Sequence, residues 1–224
     1  CYKLLKFKKN MKVLVYGGTG FVGSCLFKTL KQKNYETFTA SRHSGFNLLD
    51  FNLTAKSIQL YKPDIIVNCA AHVGSVHYGI KIPATIFYEN MTMLLNLFKA
   101  VAEVSPKSLM INPISNCVYP METHIQKEEN LWKGMPHPTA LPYAATRRMI
   151  QVISTCYYKQ FGIISKNIIF PGIYGPGDHV DIDKVHALDG IIIRMVKANK
   201  KNQKEFEIWG SGKPIREWCY IDDL

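Results

Sequence analysis

The segment Lys12-Val13-Leu14-Val15-Tyr16-Gly17-Gly18-Thr19-Gly20-Phe21-Val22-Gly23 decides the fold of this chain. An apolar run typical of a buried strand passes directly into a glycine-rich turn, and the spacing of apolar residues then predicts a helix over Phe21–Lys31. Gly17 permits the tight turn, Gly20 lets the backbone approach a pyrophosphate, and Gly23 allows close packing of helix on strand. The segment therefore predicts a dinucleotide-binding turn with contacts from Gly17, Thr19, Gly20, Phe21, Val22 and Gly23.

Apolar runs and helical patterns alternate along the rest of the chain. The predicted strands are Glu36–Ala40, Asp64–Cys69, Lys107–Ile111, Ser165–Phe170 and Glu205–Trp209. The predicted helices are Thr54–Tyr61, Ala84–Val104, one that starts near Pro142 and runs towards Phe161, and Ala187–Lys200. Residues 120–141 are expected to form a long surface loop, and residues 171–178 a series of turns. Alternation of this kind predicts an α/β fold built on a doubly wound parallel sheet of the Rossmann type.

The predicted domain organisation has three parts. Residues 1–10 are a basic extension, residues 11–170 form a dinucleotide-binding Rossmann domain, and residues 171–224 form part of a small substrate-binding region interleaved with the sheet. Because the last residues stop partway through a further element, we expect this region to be truncated at its C-terminus.

Hydrophobic content, net charge and cysteine spacing indicate the class of protein and the partners to expect. The 224 residues are 47% hydrophobic and 20% charged, as in soluble globular proteins, and no apolar run approaches the roughly 20 residues of a membrane span. The formal charge of +11 lies largely in lysine runs without interleaved aromatics. We therefore expect solvated surface and a phosphorylated ligand rather than a nucleic-acid partner. Six scattered cysteines without metal-ligand spacing predict reduced thiols, no metal site and a cytoplasmic setting.

Two further positions bear on the cofactor. Arg42 follows the second predicted strand, where a basic residue favours the 2′-phosphate of NADP and an acidic one the ribose of NAD. NADP is therefore expected, with NAD as the alternative. Ala70 and Ala71 follow the third strand, at the edge where ligands of such sheets bind. Asp50 could approach the adenine or cap the next helix.

A possible catalytic pair lies at the start of the predicted helix near Pro142. Tyr143 and Arg147 are four residues apart, so they share one helix face. A phenol beside a fixed cation can donate a proton to a carbonyl oxygen. The same residues could also form the start of an ordinary surface helix.

Together these motifs resemble the extended short-chain dehydrogenase/reductases, the group of nucleotide-sugar epimerases and dehydratases. The matching pieces are Gly17-x-x-Gly20-x-x-Gly23, Asn68-Cys69-Ala70-Ala71, the strand end at Ser115, Tyr143-x-x-x-Arg147 and Tyr174-Gly175-Pro176-Gly177. The branch that makes GDP-fucose is the most similar, through Ala70–Gly74, Ser115–Pro120, Trp209–Glu217 and the spacing of His186 and Arg194.

This resemblance implies a mechanism in which NADPH reduces carbon 4 of a nucleotide-linked 4-keto-6-deoxy sugar, after inversion at carbons 3 and 5. Tyr143 would protonate the reduced oxygen with help from Ser115 and Arg147. Cys117 and His186 would exchange protons at the two neighbouring carbons. The resemblance also implies a homodimer and substrate contacts from Arg194, Trp209 and Arg216. Further cofactor contacts are expected from Asn47, Leu48, Asn90, Tyr143, Arg147 and Pro171.

The chain departs from the family pattern at Arg147, where the family has lysine, and at Asn116 and Ser75. Arginine keeps the charge but is larger and planar. Three alternatives therefore remain: a related activity on another sugar, an epimerase or dehydratase that retains NAD, and a catalytically impaired cofactor-binding homologue. Cys117, His186 and Trp209 could also have ordinary packing roles.

Overall fold

Strands and helices alternate in the computed structural model, which describes residues 11–123, 125–181, 184–208, 211–213 and 215–224. The strands are β1 Lys12–Tyr16, β2 Glu36–Ala40, β3 Ile65–Asn68, β4 Leu109–Ser115, β5 Ser165–Phe170, β6 Gly172–Tyr174 and β7 Trp218–Tyr220. The helices are α1 Phe21–Gln32, α2 Phe51–Tyr61, α3 Val76–Lys81, α4 Pro83–Val104, α5 Leu141–Phe161 and α6 Ala187–Lys200. The predicted basic extension and Trp209 lie outside the described residues.

Five strands form one sheet in the order β2-β1-β3-β4-β5. β1 pairs in parallel with β2 and with β3, and β3 pairs in parallel with β4. The predicted doubly wound parallel sheet is therefore confirmed. In a sheet of this order the direction of winding reverses between β1 and β3, and ligands bind outside the carboxyl ends of the strands at that point.

The centre of the sheet is buried by apolar residues. Val13 and Val15 of β1 form a cluster with Ile65 and Val67 of β3, and Leu26 of α1 packs against it. Strands covered by helices on both faces are apolar along their whole length, as the sequence of β1 indicates. This cluster holds α1 against the two strands on either side of the reversal in winding.

Two boundaries differ from the predictions for local physical reasons. The second helix begins at Phe51 rather than Thr54, because the Asp50 carboxylate accepts a hydrogen bond from the Leu53 N–H at 2.9 Å and caps it. β4 continues to Ser115 instead of ending at Ile111. The buried Asn112 within it donates to Ser165 Oγ at 2.8 Å, so its polar side chain is compatible with a strand interior.

Other elements were missed or placed wrongly. α3 was not predicted. Residues 172–174, expected in turns, form β6 and pair in parallel with β7. The predicted strand Glu205–Trp209 is wrong for residues 205–208, which have no regular structure. Short strands of three residues give too little periodic signal to be found in the sequence.

The chain divides into two compact units. The first unit comprises residues 11–71, Tyr88–Ile114 and Thr146–Ile168, and the second comprises His72–Phe87, Ser115–Ala145 and Ile169–Leu224. The predicted domain boundary near residue 170 stays a prediction. Among the described helices, none has the length and apolar character needed to cross a membrane.

Removing core volume from the sheet should destabilise the first unit strongly. Leu14 in β1 is 0% exposed, so we expect Leu14→Ala to lower the free energy of unfolding by about 2–5 kcal/mol. Leu60 in α2 is 61% exposed, and the same substitution there should cost less than about 0.5 kcal/mol. Urea denaturation followed by fluorescence measures both. Equal losses at the two positions would contradict this description of the core.

Candidate active site

The glycine turn of the first unit is shaped by a close backbone contact. Gly17 has a φ of +72°, and a Cβ atom built on it would lie 2.7 Å from the backbone nitrogen of Ala70, just beyond β3. A Cβ on Gly23 would collide with the carbonyl oxygen of Gly17. Only glycine fits at positions 17 and 23. The turn therefore packs closely against the carboxyl ends of β1 and β3.

The turn leads directly into the start of α1. Gly20 is the residue before the helix, so it offers no side chain to the first N–H groups of α1. Such N–H groups, at the positive end of a helix, favour phosphate. Thr19 and Gly20 are exposed, whereas Phe21 is buried and can offer only its backbone. The turn therefore fits the pyrophosphate of a dinucleotide.

The remaining cofactor residues predicted in the first unit occupy the ends of neighbouring segments. Arg42 is exposed in a single helical turn, Arg42–Ser44, that follows β2 and is closed by hydrogen bonds between Ser41 and Ser44. Asn47 accepts from the Leu49 N–H at 3.1 Å, and Asn96 of α4 donates to the Leu48 carbonyl at 2.8 Å. An exposed guanidinium on an ordered turn is suited to a phosphate group.

Arg147 and Asn90 meet directly inside the first unit. Arg147 is 3% exposed and Asn90 is 0% exposed, and the guanidinium Nη2 donates to Asn90 Oδ1 at 2.8 Å. Both were predicted as cofactor contacts, but their mutual bond was not predicted. The polar Asn90 within the apolar α4 pattern was the available signal. Because a buried charge needs hydrogen-bonding partners, Asn90 fixes where the guanidinium lies.

Ser115 and Cys117 of the second unit share one turn. Ser115 is the last residue of β4, and its Oγ accepts from the Cys117 N–H at 3.5 Å. Cys117 is a free, partly buried cysteine. In the first unit, burial raises the pKa of the Cys69 thiol to about 12, so Cys69 stays protonated near neutral pH. Burial therefore excludes Cys69 as a thiolate base near neutral pH.

Tyr143 lies in the first turn of α5, one turn before Arg147 in the same continuous helix. The turn Pro138–Ala140 precedes the helix, and the His137 ring accepts from the Thr139 N–H at 3.3 Å. The predicted helix start near Pro142 is confirmed. The shared helix sets the four-residue spacing of the phenol and the cation.

His186 is held by a buried carboxylate of the second unit. Its Nδ1 lies 2.9 Å from Asp178 Oδ1, and its backbone N–H donates to Asp178 Oδ2 at 3.0 Å. The hydrogen bond with Asp178 raises the pKa of His186, although burial opposes the shift. His186 therefore holds its proton to higher pH than a free histidine does.

The predicted substrate contacts occupy different positions in the second unit. Arg194 on α6 donates to the carbonyl oxygens of Gly190 at 3.3 Å and Glu207 at 3.2 Å. Arg216 is exposed, and its guanidinium donates to the Ile215 carbonyl at 3.1 Å. The binding roles of Arg194 and Arg216 stay predictions.

Pro171, a predicted cofactor contact, joins β5 to β6. Its role in binding also stays a prediction.

In the part of the chain that the structure describes, no group of three or more histidine, cysteine, aspartate or glutamate side chains could hold a metal ion.

Comparisons with known sequences point to one family. The pattern of the NAD dependent epimerase/dehydratase family matches residues 13–224. A GDP-L-fucose synthase of Dictyostelium discoideum is 31% identical over 215 residues, which are 95% of this chain and 67% of that protein. A GDP-L-colitose synthase of Yersinia pseudotuberculosis is 30% identical over 218 residues, which are 96% of this chain and 70% of that protein. The chain thus spans about two thirds of each relative's length.

A solved structure shares the fold. The GDP-L-fucose synthetase of Naegleria fowleri bound to NADP superimposes with a TM-score of 0.84, covering 97% of this chain and 71% of that one. The sequence identity of 24% makes this a likeness of fold.

The glycine contact gives a testable cofactor requirement. We expect Gly17→Ala to weaken NADPH binding at least about 10-fold, because the added methyl group displaces the turn from β3. Gly162 is the matched control: its φ is +71°, but a Cβ there meets nothing within 4 Å. Gly162→Ala should therefore carry the same backbone strain and leave binding unchanged in a fluorescence titration. Equal weakening by both substitutions would contradict the proposed turn geometry.

The Arg147–Asn90 bond predicts a coupled loss of stability. We expect Asn90→Leu to lower the free energy of unfolding by about 1.5–3 kcal/mol, as for hydrogen bonds to charged groups. Asn96→Leu, on the same helix, removes a bond to a neutral carbonyl and should cost about 1 kcal/mol. A double-mutant cycle with Arg147→Met measures the coupling of Asn90 to the guanidinium. Additive losses in that cycle would contradict the interaction.

Proposed function

Because the chain belongs to the NAD dependent epimerase/dehydratase family, we propose that it is an NADP-dependent epimerase–reductase acting on a GDP-linked 4-keto-6-deoxy sugar. The observation that carries the proposal is that the second unit contains two kinds of proton-exchanging group. Ser115 and Tyr143 suit carbonyl reduction, while Cys117 and His186 suit inversion of neighbouring carbons. The GDP-L-fucose and GDP-L-colitose synthases among its relatives support a GDP-sugar substrate.

The first unit fits the cofactor. Gly17, Gly20 and Gly23 leave backbone N–H groups beside the start of α1 for the pyrophosphate, and the exposed Arg42 suits the 2′-phosphate that distinguishes NADP from NAD. NADPH, when bound, supplies the hydride for carbon 4. The residues at the turn hold and orient it.

Tyr143 supplies the proton for reduction. Its phenol donates to the oxygen of carbon 4, while the Ser115 hydroxyl hydrogen-bonds to the same oxygen and stabilises the developing charge. Arg147, one turn along α5, keeps a positive charge on the helix that carries the phenol. Asn90 holds that guanidinium in one position.

Cys117 and His186 invert carbons 3 and 5 before reduction. Both carbons are adjacent to the carbonyl group, so their C–H bonds are acidic. The Cys117 thiolate removes a proton from one face, and the His186 imidazolium returns a proton to the opposite face. Cys117 is then protonated and His186 neutral, and exchange with solvent restores both before the second inversion.

The nucleotide end of the substrate requires cationic groups. We assign Arg194 and Arg216 to the pyrophosphate, because planar guanidinium forks match phosphate oxygens, and Trp209 to the base. A thiolate base at Cys117 requires a reducing setting, which supports a cytoplasmic location.

A second candidate, a catalytically impaired cofactor-binding homologue, is favoured by the burial of Arg147 and its bond to Asn90. Arginine in place of the family's lysine could leave Tyr143 without a suitably placed charge. An epimerase or dehydratase that retains NAD is the remaining alternative, and stoichiometric co-purification of NAD would support it.

The activity test uses a version extended to the length of its relatives, NADPH and GDP-4-keto-6-deoxy-mannose. We expect NADPH oxidation that falls about 10²–10⁴-fold in Tyr143→Phe, because the proton donor is lost. Arg147→Lys should lower the rate if arginine is adapted to function, and a large gain would favour the impaired homologue. No oxidation by a folded, NADPH-binding protein would exclude this reaction.

We also propose that the protein forms a homodimer through α4 and α5. Tyr88 and Leu95 on α4 are 68% and 50% exposed, and Val152 on α5 is 43% exposed, so both long helices carry apolar side chains that a second copy of the chain would bury. Leu95→Glu should therefore halve the apparent mass in size-exclusion chromatography. Leu60→Glu, at a leucine of α2 that is 61% exposed, should not. A monomeric wild-type protein would exclude the dimer.

A further inference from the structure

We propose that Asp178 is a positioning residue for His186, because it contacts both the ring and the backbone of that residue. Within the proposed function, this arrangement makes His186 the donor of protons to carbons 3 and 5. Nothing in the family pattern or the comparisons assigns a role to Asp178.

Asp178 binds His186 at two points. Its side chain is 2% exposed, with Oδ1 2.9 Å from the ring Nδ1 and Oδ2 3.0 Å from the backbone nitrogen of the same residue. The carboxylate therefore fixes both the start of α6 and the rotation of the imidazole ring. With Nδ1–H donated to Asp178, we assign the proton that is exchanged with a substrate to Nε2.

A second aspartate of the same unit, Asp189 on α6, is 9% exposed and accepts from the Gly175 N–H at 3.3 Å. Burial raises the pKa of Asp189. For Asp178, burial also acts upward, but hydrogen bonds from His186 and the His179 backbone lower its pKa overall. Asp178 is therefore the carboxylate that stabilises a protonated His186 ring.

The carboxyl groups acting on the imidazole are Asp178 and Asp189, and the Asp178 hydrogen bond has the larger effect. Both raise the pKa of His186, while burial lowers it. The contact with Asp178 thereby favours the protonated form that an acid catalyst requires.

If Asp178 had only a structural role, that role would be to hold the His186 backbone at the start of α6. The two roles separate in Asp178→Asn, because the amide oxygen can still accept from the His186 N–H while the negative charge is lost. Asp181 supplies the matched control, since it is an exposed aspartate of the same segment.

The first test follows the histidine ring by NMR in the protein without substrate. The His186 signal is assigned by its loss in His186→Gln. We expect its titration midpoint to lie above the ordinary 6.5 and to fall by about one pH unit or more in Asp178→Asn, while Asp181→Asn leaves it in place. An unchanged midpoint in folded Asp178→Asn would overturn the proposal.

A second measurement tests whether the contact between Asp178 and His186 affects the reaction. Asp178→Asn should slow solvent deuterium uptake at carbons 3 and 5 at least 10-fold and shift its pH profile downward, with NADPH binding unchanged. Uptake that is unaffected would overturn the positioning role. If the NMR midpoints move as expected but wild type shows no uptake, the proposed function fails while the arrangement around His186 stands.

Discussion

The approach of the Gly17 backbone to Ala70 is the constraint on which the first unit depends. The two segments are so close that no side chain fits at Gly17, and the carbonyl of Gly17 in turn excludes a side chain at Gly23. These contacts hold the start of α1 at the carboxyl ends of β1 and β3, where the winding of the sheet reverses. Backbone packing therefore shapes the edge of the sheet at which we propose that the cofactor binds.

Two buried polar contacts then place the charges. Asn90 holds the Arg147 guanidinium in the first unit, and Asp178 holds His186 in the second. In each pair one member is an ionisable group of the proposed chemistry and the other is a buried partner that fixes its position. A hydrogen-bonded charge inside a protein has a defined position and protonation state, which proton transfer requires.

The sequence predicted the long elements well because their periodicity is strong. β1, α5 and the glycine turn followed directly from apolar spacing, Pro142 and three glycines. It did not predict β6 and β7, because three-residue strands are too short to show a periodic pattern. It also did not predict the hydrogen bond between Asn90 and Arg147, because the two residues are 57 positions apart. The role of Asp178 was not predicted either, because an aspartate after glycines is typical of an ordinary turn.

The central claim is that one chain combines inversion at two carbons with reduction at a third. The most direct measurement is NMR of GDP-4-keto-6-deoxy-mannose incubated with the extended protein in D₂O without NADPH. The account predicts deuterium at both carbons 3 and 5, because Cys117 and His186 exchange protons before any hydride is transferred. Absence of deuterium at both carbons, in a protein that binds NADPH and the nucleotide sugar, would contradict it.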